Sequence, residues 1–197
     1  RNYLMDSVLQ GAGKPLSTFV PPGNEYWHNP EVGSWGGDLT RAERVHKAVQ
    51  ILEEAGFSWA KKPQVDLEND TYSAGAGIIN PNGEKMEEFE VLTPPVGYDP
   101  LRAACGLWLQ MWAKDLGIPY VSKPTQFNVI VDKVMNQNDY DGFILGWGLG
   151  GILPDFLNSF FHTDGGFNVV NFSSEEYDQL IEEFMKATEM EKARELA

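Results

Sequence analysis

Tyr140-Asp-Gly-Phe-Ile-Leu-Gly-Trp-Gly-Leu-Gly-Gly-Ile-Leu-Pro-Asp-Phe156 is the stretch on which the fold turns. Its first half, Tyr140 to Trp147, is rich in aromatic and β-branched residues and bounded by glycines, the pattern of a short buried strand. Gly146, Gly148, Gly150 and Gly151 then surround Trp147 and Leu149. The chain therefore leaves the sheet through a turn whose backbone can take positive φ and lie close to another group. An indole held at the mouth of such a strand either walls a ligand pocket or belongs to the core, and the local sequence leaves both readings open.

Working upstream, Phe127, Ile130, Val131, Val134 and Met135 fit the i, i+3, i+4, i+7, i+8 template of an amphipathic helix that delivers the chain to this strand. Ile118 to Val121 before it is another short strand. Strand, helix, strand in that order predicts a right-handed crossover and parallel pairing, hence α/β rather than an all-β sandwich. Asp99 as cap and Pro100 in the first turn open a longer helix, which Gly117 closes. Leu101, Ala104, Cys105, Trp108, Met111 and Trp112 line one side of it, and this aromatic stripe is expected to be core.

Farther back, Ser73 to Ile79 and Met86 to Leu92 flank Asn80-Pro81-Asn82-Gly83, whose Asn-Gly pair predicts a hairpin. Phe89 and Val91 alternate with Glu88 and Glu90, so the second strand is expected to have one wet face. Thr40-Arg41-Ala42-Glu43 is a capping box for a helix whose stripe is Ala42, Val45, Val49 and Leu52 and whose end is Ala55-Gly56. Prolines and glycines between Val20 and Gly37 exclude regular structure there. Gly11-Ala12-Gly13-Lys14 is not a phosphate loop, because Val8 stands where that pattern needs glycine and Pro15 where it needs Ser or Thr. Downstream, Pro154-Asp155 starts a short helix carrying Phe156, Leu157, Phe160 and Phe161. Ser173-Ser174-Glu175-Glu176 is a second capping box, after which Tyr177, Leu180, Ile181 and Phe184 point inward. His162 to Asn168 between them is a polar loop.

Composition removes several function classes. The 29 acidic against 15 basic residues among 197, a net charge of -14, argue against nucleic acid and anionic membrane surfaces as partners. No apolar run approaches the ~18 residues of a membrane span. Cys105 stands alone, so an internal disulfide, a metal knuckle and a redox pair are all excluded, and it is expected to be an inert core thiol. No cofactor and no metal is expected: His28, His46 and His162 are widely separated. Helical patterns at Arg1-Asn2-Tyr3-Leu4-Met5 and at Arg194-Glu195-Leu196-Ala197 give the expectation of a piece excised from a longer protein.

The order of landmarks resembles a known family. Val20-Pro21-Pro22-Gly23 with Trp27 and Pro30, Leu52-Glu53-Glu54-Ala55-Gly56-Phe57, Pro81-Asn82-Gly83-Glu84 and Leu116-Gly117-Ile118 come in its sequence order. Tyr140-Asp141 to Gly146-Trp147, Pro154-Asp155-Phe156 and Tyr177-Asp178-Gln179-Leu180-Ile181 complete it. Together they look like the bacterial extracellular solute-binding proteins of the dipeptide, oligopeptide and nickel group, family 5. The resemblance implies that residues 1–197 form a single α/β lobe, a mixed sheet flanked by helices, in a two-lobed clamp of the type II kind. It further implies a non-enzymatic role, the capture of a peptide-like or other small solute by hinge closure for an ATP-driven importer. The implied partners are that solute, the importer's permease and the N-terminal lobe of the same chain. The implied place is periplasmic or extracellular, free or lipid-anchored at the membrane's outer face.

At the ligand side, Trp147 matches the tryptophan that ends the cleft-facing strand, with Gly148, Leu149 and Gly150 following it, and Phe127 matches an aromatic at the start of the preceding helix. Peptide binders of the family carry an aspartate where Gly150 stands, to take the ligand's amino terminus. Removing one partner of a buried ion pair costs about 3–5 kcal/mol, so a free peptide amine is not expected as the anchor. Asp155 could take that role, but its place at a helix start gives it a structural reason to be acidic. Two other ligand classes remain, an oligosaccharide stacked on the indole and, against the scattered histidines, a nickel complex. A hydrolase using Asp139, Asp141 and Asp155 is the alternative of a different class, and an interaction or sensor module built on the same clamp is a third.

Overall fold

The computed structural model describes residues 3–34, 36–149, 151 and 153–196. Over these residues the chain divides into two compact units, one from Arg1–Gly13, Gly36–Lys133 and Asp139–Leu145, the other from Lys14–Trp35, Val134–Asn138 and Gly146–Ala197.

The first unit is built on a three-stranded parallel sheet, β5 (Phe89–Thr93) between β6 (Tyr120–Pro124) and β7 (Gly142–Phe143). The register pairs Val91 with both Ser122 and Gly142. Because β5 has a neighbour on each side, Val91, Leu92 and Thr93 are all buried, and the expected alternation of wet and dry faces does not occur. Helix α2 (Pro100–Asp115) covers this sheet at very close range. A Cβ at Gly106 would lie 2.5 Å from both Ser122 Oγ and Thr93 Cγ2. Gln110 Oε1 accepts from the Ser122 N–H at 2.7 Å beside this contact. The buried face of α2 is therefore Ala103 and Gly106, rather than the large residues of the expected stripe. Of that stripe Met111 is exposed, while Trp108 packs on Tyr3 and Trp112. Cys105 is half-buried, and burial pushes its thiol up, as expected of an inert group.

Around this sheet stand α1 (Arg41–Glu54) and two antiparallel ribbons, β1 (Ser58–Lys61) with β4 (Ala76–Ile79) and β2 (Gln64–Asp66) with β3 (Thr71–Ser73). The Thr40 capping box forms in full, and Ala42, Val45 and Val49 are buried as their spacing predicts. Arg41 Nη2 meets Asp115 Oδ2 at 2.5 Å, and the Tyr72 hydroxyl donates to the same oxygen at 2.9 Å, so α1, β3 and α2 share one polar staple. The Asn80-Pro81-Asn82-Gly83 turn is present, with Gly83 at φ +83°. Its flanks separate after one bridge between Ile79 and Lys85, because β4 pairs back to β1 while β5 joins the parallel sheet.

Helix α3 (Phe127–Asp132) continues into a π-helical turn, Lys133–Gln137, burying Ile130 and Val134. The strand expected over Tyr140 to Trp147 shrinks to Gly142–Phe143, extended by one bond from the Ile144 N–H to the Leu92 carbonyl.

The second unit has no sheet among its described residues. Val20 and Trp27 from the irregular segment pack with Ile181 and Phe184 of α5 (Glu175–Lys186) and Ala193 of α6 (Met190–Leu196). Trp27 meets Phe184 edge to face at 5.7 Å. The cap of α5 is Ser174, which accepts from the Tyr177 N–H; its third helical residue is thus Tyr177, and the box expected from Ser173 and Glu176 does not form. No helix among the described residues is long and apolar enough to cross a membrane.

Gly106→Ala is expected to destabilise the protein. The better helix propensity of alanine is worth about 1 kcal/mol, but two contacts at 2.5 Å impose an overpacking cost of about 1–3 kcal/mol. Chemical denaturation should show a lowered midpoint with an unchanged slope.

Candidate ligand-binding site

In sheets of parallel strands, ligands bind beyond the carboxyl ends, where loops rather than ladder partners receive the backbone. In the first unit β5 ends at Thr93, whose carbonyl accepts from the Thr125 N–H at 2.7 Å, so the loops after β5 and β6 are tied at their origin. Phe127 opens α3 just after β6, half-buried. Tyr98 lies nearly parallel upon it, with ring centroids 5.0 Å apart and planes at 18°. Tyr98 is 59% exposed and Val96 64%. The sequence reading names Phe127 and not Tyr98, because Thr93-Pro94-Pro95 reads only as the end of a strand. A signal was there: Pro94-Pro95-Val96-Gly97 between an apolar strand and the Asp99 cap marks a fixed turn that offers its next side chain to solvent.

In the second unit Trp147 is 42% exposed, so its indole is not enclosed by the described residues. Two phenylalanines hold it edge to face, Phe160 at 4.7 Å and Phe167 at 5.4 Å. Gly148 is exposed and Leu149 half-buried, while Gly150 lies outside the described residues. Phe160 comes from α4 (Phe156–Phe161) and Phe167 from the polar loop after it. That loop is tightly bonded. The Phe167 N–H donates to the Ser159 carbonyl at 2.9 Å, Asn168 Nδ2 donates to the carbonyls of His162 and Phe172, and the Phe172 N–H donates back to Asn168 Oδ1. A side chain at Gly165 would meet the Ser159 carbonyl at 2.5 Å, so only glycine fits that bend. The Thr163 N–H donates to Asp178 Oδ1 at 2.9 Å, fastening the loop to α5. Thr163, through its side chain and its N–H, holds the Asp178 carboxyl below its ordinary value. Of the five residues expected at the ligand, Trp147, Gly148 and Leu149 therefore lie in one unit and Phe127 in the other.

The acidic residues near the turn have other work. Asp139 pairs with Lys133, whose ammonium draws its carboxyl down. Asp141 Oδ2 accepts from the Glu90 N–H at 2.9 Å, anchoring the start of β7 to β5. Asp155 stands at the start of α4, as expected, but its backbone is already helical and its side chain makes no cap bond. His28 Nδ1 lies 2.9 Å from the Val20 carbonyl, His46 lies within α1, and His162 Nδ1 accepts from the Asp164 N–H. No cluster of three or more His, Cys, Asp or Glu that could hold a metal ion occurs among the described residues.

Residues 1–168 match the family model for bacterial extracellular solute-binding proteins, family 5, middle part. The oligopeptide-binding protein OppA of Bacillus subtilis is 26% identical over 201 residues, covering all of this chain and 31% of OppA. Among solved structures, the oligopeptide-binding protein AppA of Bacillus subtilis in complex with a nonapeptide superposes with a TM-score of 0.76 at 20% identity. That match covers 99% of this chain and 35% of AppA. The ABC transporter substrate-binding protein CtaP of Listeria monocytogenes gives 0.72 at 18% identity, over 100% of this chain and 34% of CtaP. The chain thus spans about a third of the length of these relatives.

The loop that carries Phe167 should loosen in acid. Asp178 is depressed below 3.8, so its bonds to Thr163 are complete above its unfolded value, near ~3.9, and are lost as pH falls through the lower folded value. Hydrogen exchange at the Thr163 amide should quicken over that range. In Asp178→Asn the acid dependence should vanish.

Proposed function

Because the chain belongs to the bacterial extracellular solute-binding proteins, family 5, we propose that it works as one lobe of a two-lobed clamp that captures a small solute for an ATP-driven importer. The family's place is extracellular or periplasmic, and the proposal puts this protein there, free or lipid-anchored at the membrane's outer face. It acts within a polypeptide of its relatives' length, beside an N-terminal lobe, and the closed clamp docks on the importer's permease.

The observation that carries the proposal is Trp147. A tryptophan left 42% exposed and braced by Phe160 and Phe167 offers a large rigid surface at small entropic cost. In this reading Trp147 contacts the solute with Gly148, Leu149 and Gly150, and Phe127 is a ligand-facing residue of the first unit in its own right. The solute is a peptide held through backbone and side-chain contacts rather than by its amino terminus, since Gly150 has no carboxylate to receive an amine. Its oligopeptide-binding relatives favour a peptide. An oligosaccharide is the second reading, favoured by the same exposed indole without a charged neighbour in sequence from Leu145 to Leu153.

Half a clamp binds poorly, because each lobe supplies half of the contacts and closure supplies the rest. Titration calorimetry on a polypeptide of full family length is the test. Trp147→Ala is expected to weaken the tightest-binding peptide by roughly thirtyfold or more, the ~2 kcal/mol of an aromatic hot spot, and acetylating the peptide's amino terminus to change little. Residues 1–197 alone should show no micromolar affinity. An unchanged affinity in Trp147→Ala would remove the indole from the site.

A further inference from the structure

We infer that Tyr98, stacked on Phe127 beyond the carboxyl ends of β5 and β6, is a specificity-determining residue that receives a flat, uncharged side chain of the solute, an aromatic one above all. This rests on the peptide-binding reading above and adds to it a residue and a preference.

Three observations carry it. One face of the Tyr98 ring lies against Phe127 at 5.0 Å and 18°, so its 59% exposure falls on the opposite face and the edge. A buried pair would be packing alone, whereas this one is rigid on the inside and open on the outside. Val96, 64% exposed on the same turn, adds an aliphatic surface beside the ring. The turn itself cannot rearrange freely, since Pro94 is fully buried, Pro95 fixes the backbone next to it, and the Tyr98 and Asp99 N–H groups both donate to the Pro95 carbonyl.

Charge decides the class of group that fits. The ionised residues that follow Tyr98, Asp99 and Arg102, pair with each other at 3.3 Å, and Asp99 also accepts from the Arg102 N–H as the cap of α2. Their opposite charges offset each other beside the ring, so neither sign of charge on the solute is favoured. A stacked ring pair with an open face beside a neutralised pair selects by shape and polarisability, through offset stacking. A lysine or glutamate side chain placed there would leave water without gaining a partner. The place is also where a parallel sheet exposes its loops to ligands, so the ring does not depend on a special pocket.

The test measures affinities of the full-length polypeptide for a set of pentapeptides that differ at one position at a time, with Phe, Leu, Ala, Lys or Glu. In the wild type one position should favour Phe over Ala by roughly three- to tenfold, the range of one aromatic pair. Tyr98→Ala should abolish that preference, bringing the Phe peptide down to the affinity of the alanine peptide, and Tyr98→Phe should restore it. A preference that survives Tyr98→Ala would overturn the inference and leave the solute-binding reading intact. So would a loss of affinity equal for all peptides, which marks a merely structural role. Absence of binding by every peptide in the wild type would overturn both, and stacking of oligosaccharides alone on Tyr98 would overturn the assigned side-chain class.

Discussion

The approach of α2 to the parallel sheet at Gly106 is the constraint on which the first unit depends. No side chain fits between this position and Thr93 and Ser122, so the side chains of those two sheet residues press directly on the helix backbone at a distance only glycine permits. Thr93 and Ser122 are satisfied locally. Thr93, wholly buried, has its hydroxyl 3.2 Å from that of Ser122, whose N–H is taken by Gln110. With the helix seated, its N-terminal turn fixes Asp99 and Tyr98 at one end. At the other, the Trp59 indole donates to the Leu116 carbonyl and Gly75 donates to that of Asp115, docking the β1–β4 ribbon. The Tyr98–Phe127 pair at the carboxyl ends is thus held by contacts made elsewhere.

The second unit solves a different problem. With no sheet among its described residues, it is held by aromatic rings in contact: Phe161 touches Phe19, Phe172 and Tyr177, and Phe160 touches Trp147 and Phe167. Offset and edge-to-face pairs of this kind add directional preference to apolar burial. Trp147 sits at one margin of this group, and its position is set by a loop whose polar side chains, Asn168 above all, bond backbone rather than ligand.

What the sequence made legible was what local chemistry determines. The Thr40 box, the Asp99-Pro100 start and the 3.6-residue period of Ala42, Val45 and Val49 specify helices without reference to anything distant. Parallel pairing also followed from the order of strand and helix. Three features did not follow, each for a tertiary reason. The strand through Tyr140 was expected too long, because its apolar character serves a two-residue pairing and then the aromatic group around Trp147. The hairpin at Asn82-Gly83 was half right, since a turn signal fixes the turn and not the partners of its flanks. The buried face of α2 was missed because Leu, Trp and Met draw attention as core residues, whereas close packing here selects Ala103 and Gly106. The family resemblance singles out Trp147 and Phe127 for the proposed site; it does not single out Tyr98, which only three-dimensional stacking distinguishes from any exposed loop tyrosine.

The central claim is that this chain helps to hold a solute through aromatic and backbone contacts, without chemistry performed on it. Its most direct test is a thermal-shift series on the polypeptide of full family length against short peptides, oligosaccharides and nickel chelates, with product analysis of each mixture. The expected result is stabilisation by peptides, with free and acetylated amino termini alike, of about 2.7 kcal/mol at ~100 times the dissociation constant, and every peptide recovered intact. Stabilisation by none of the three classes, or cleavage of the solute, would contradict it.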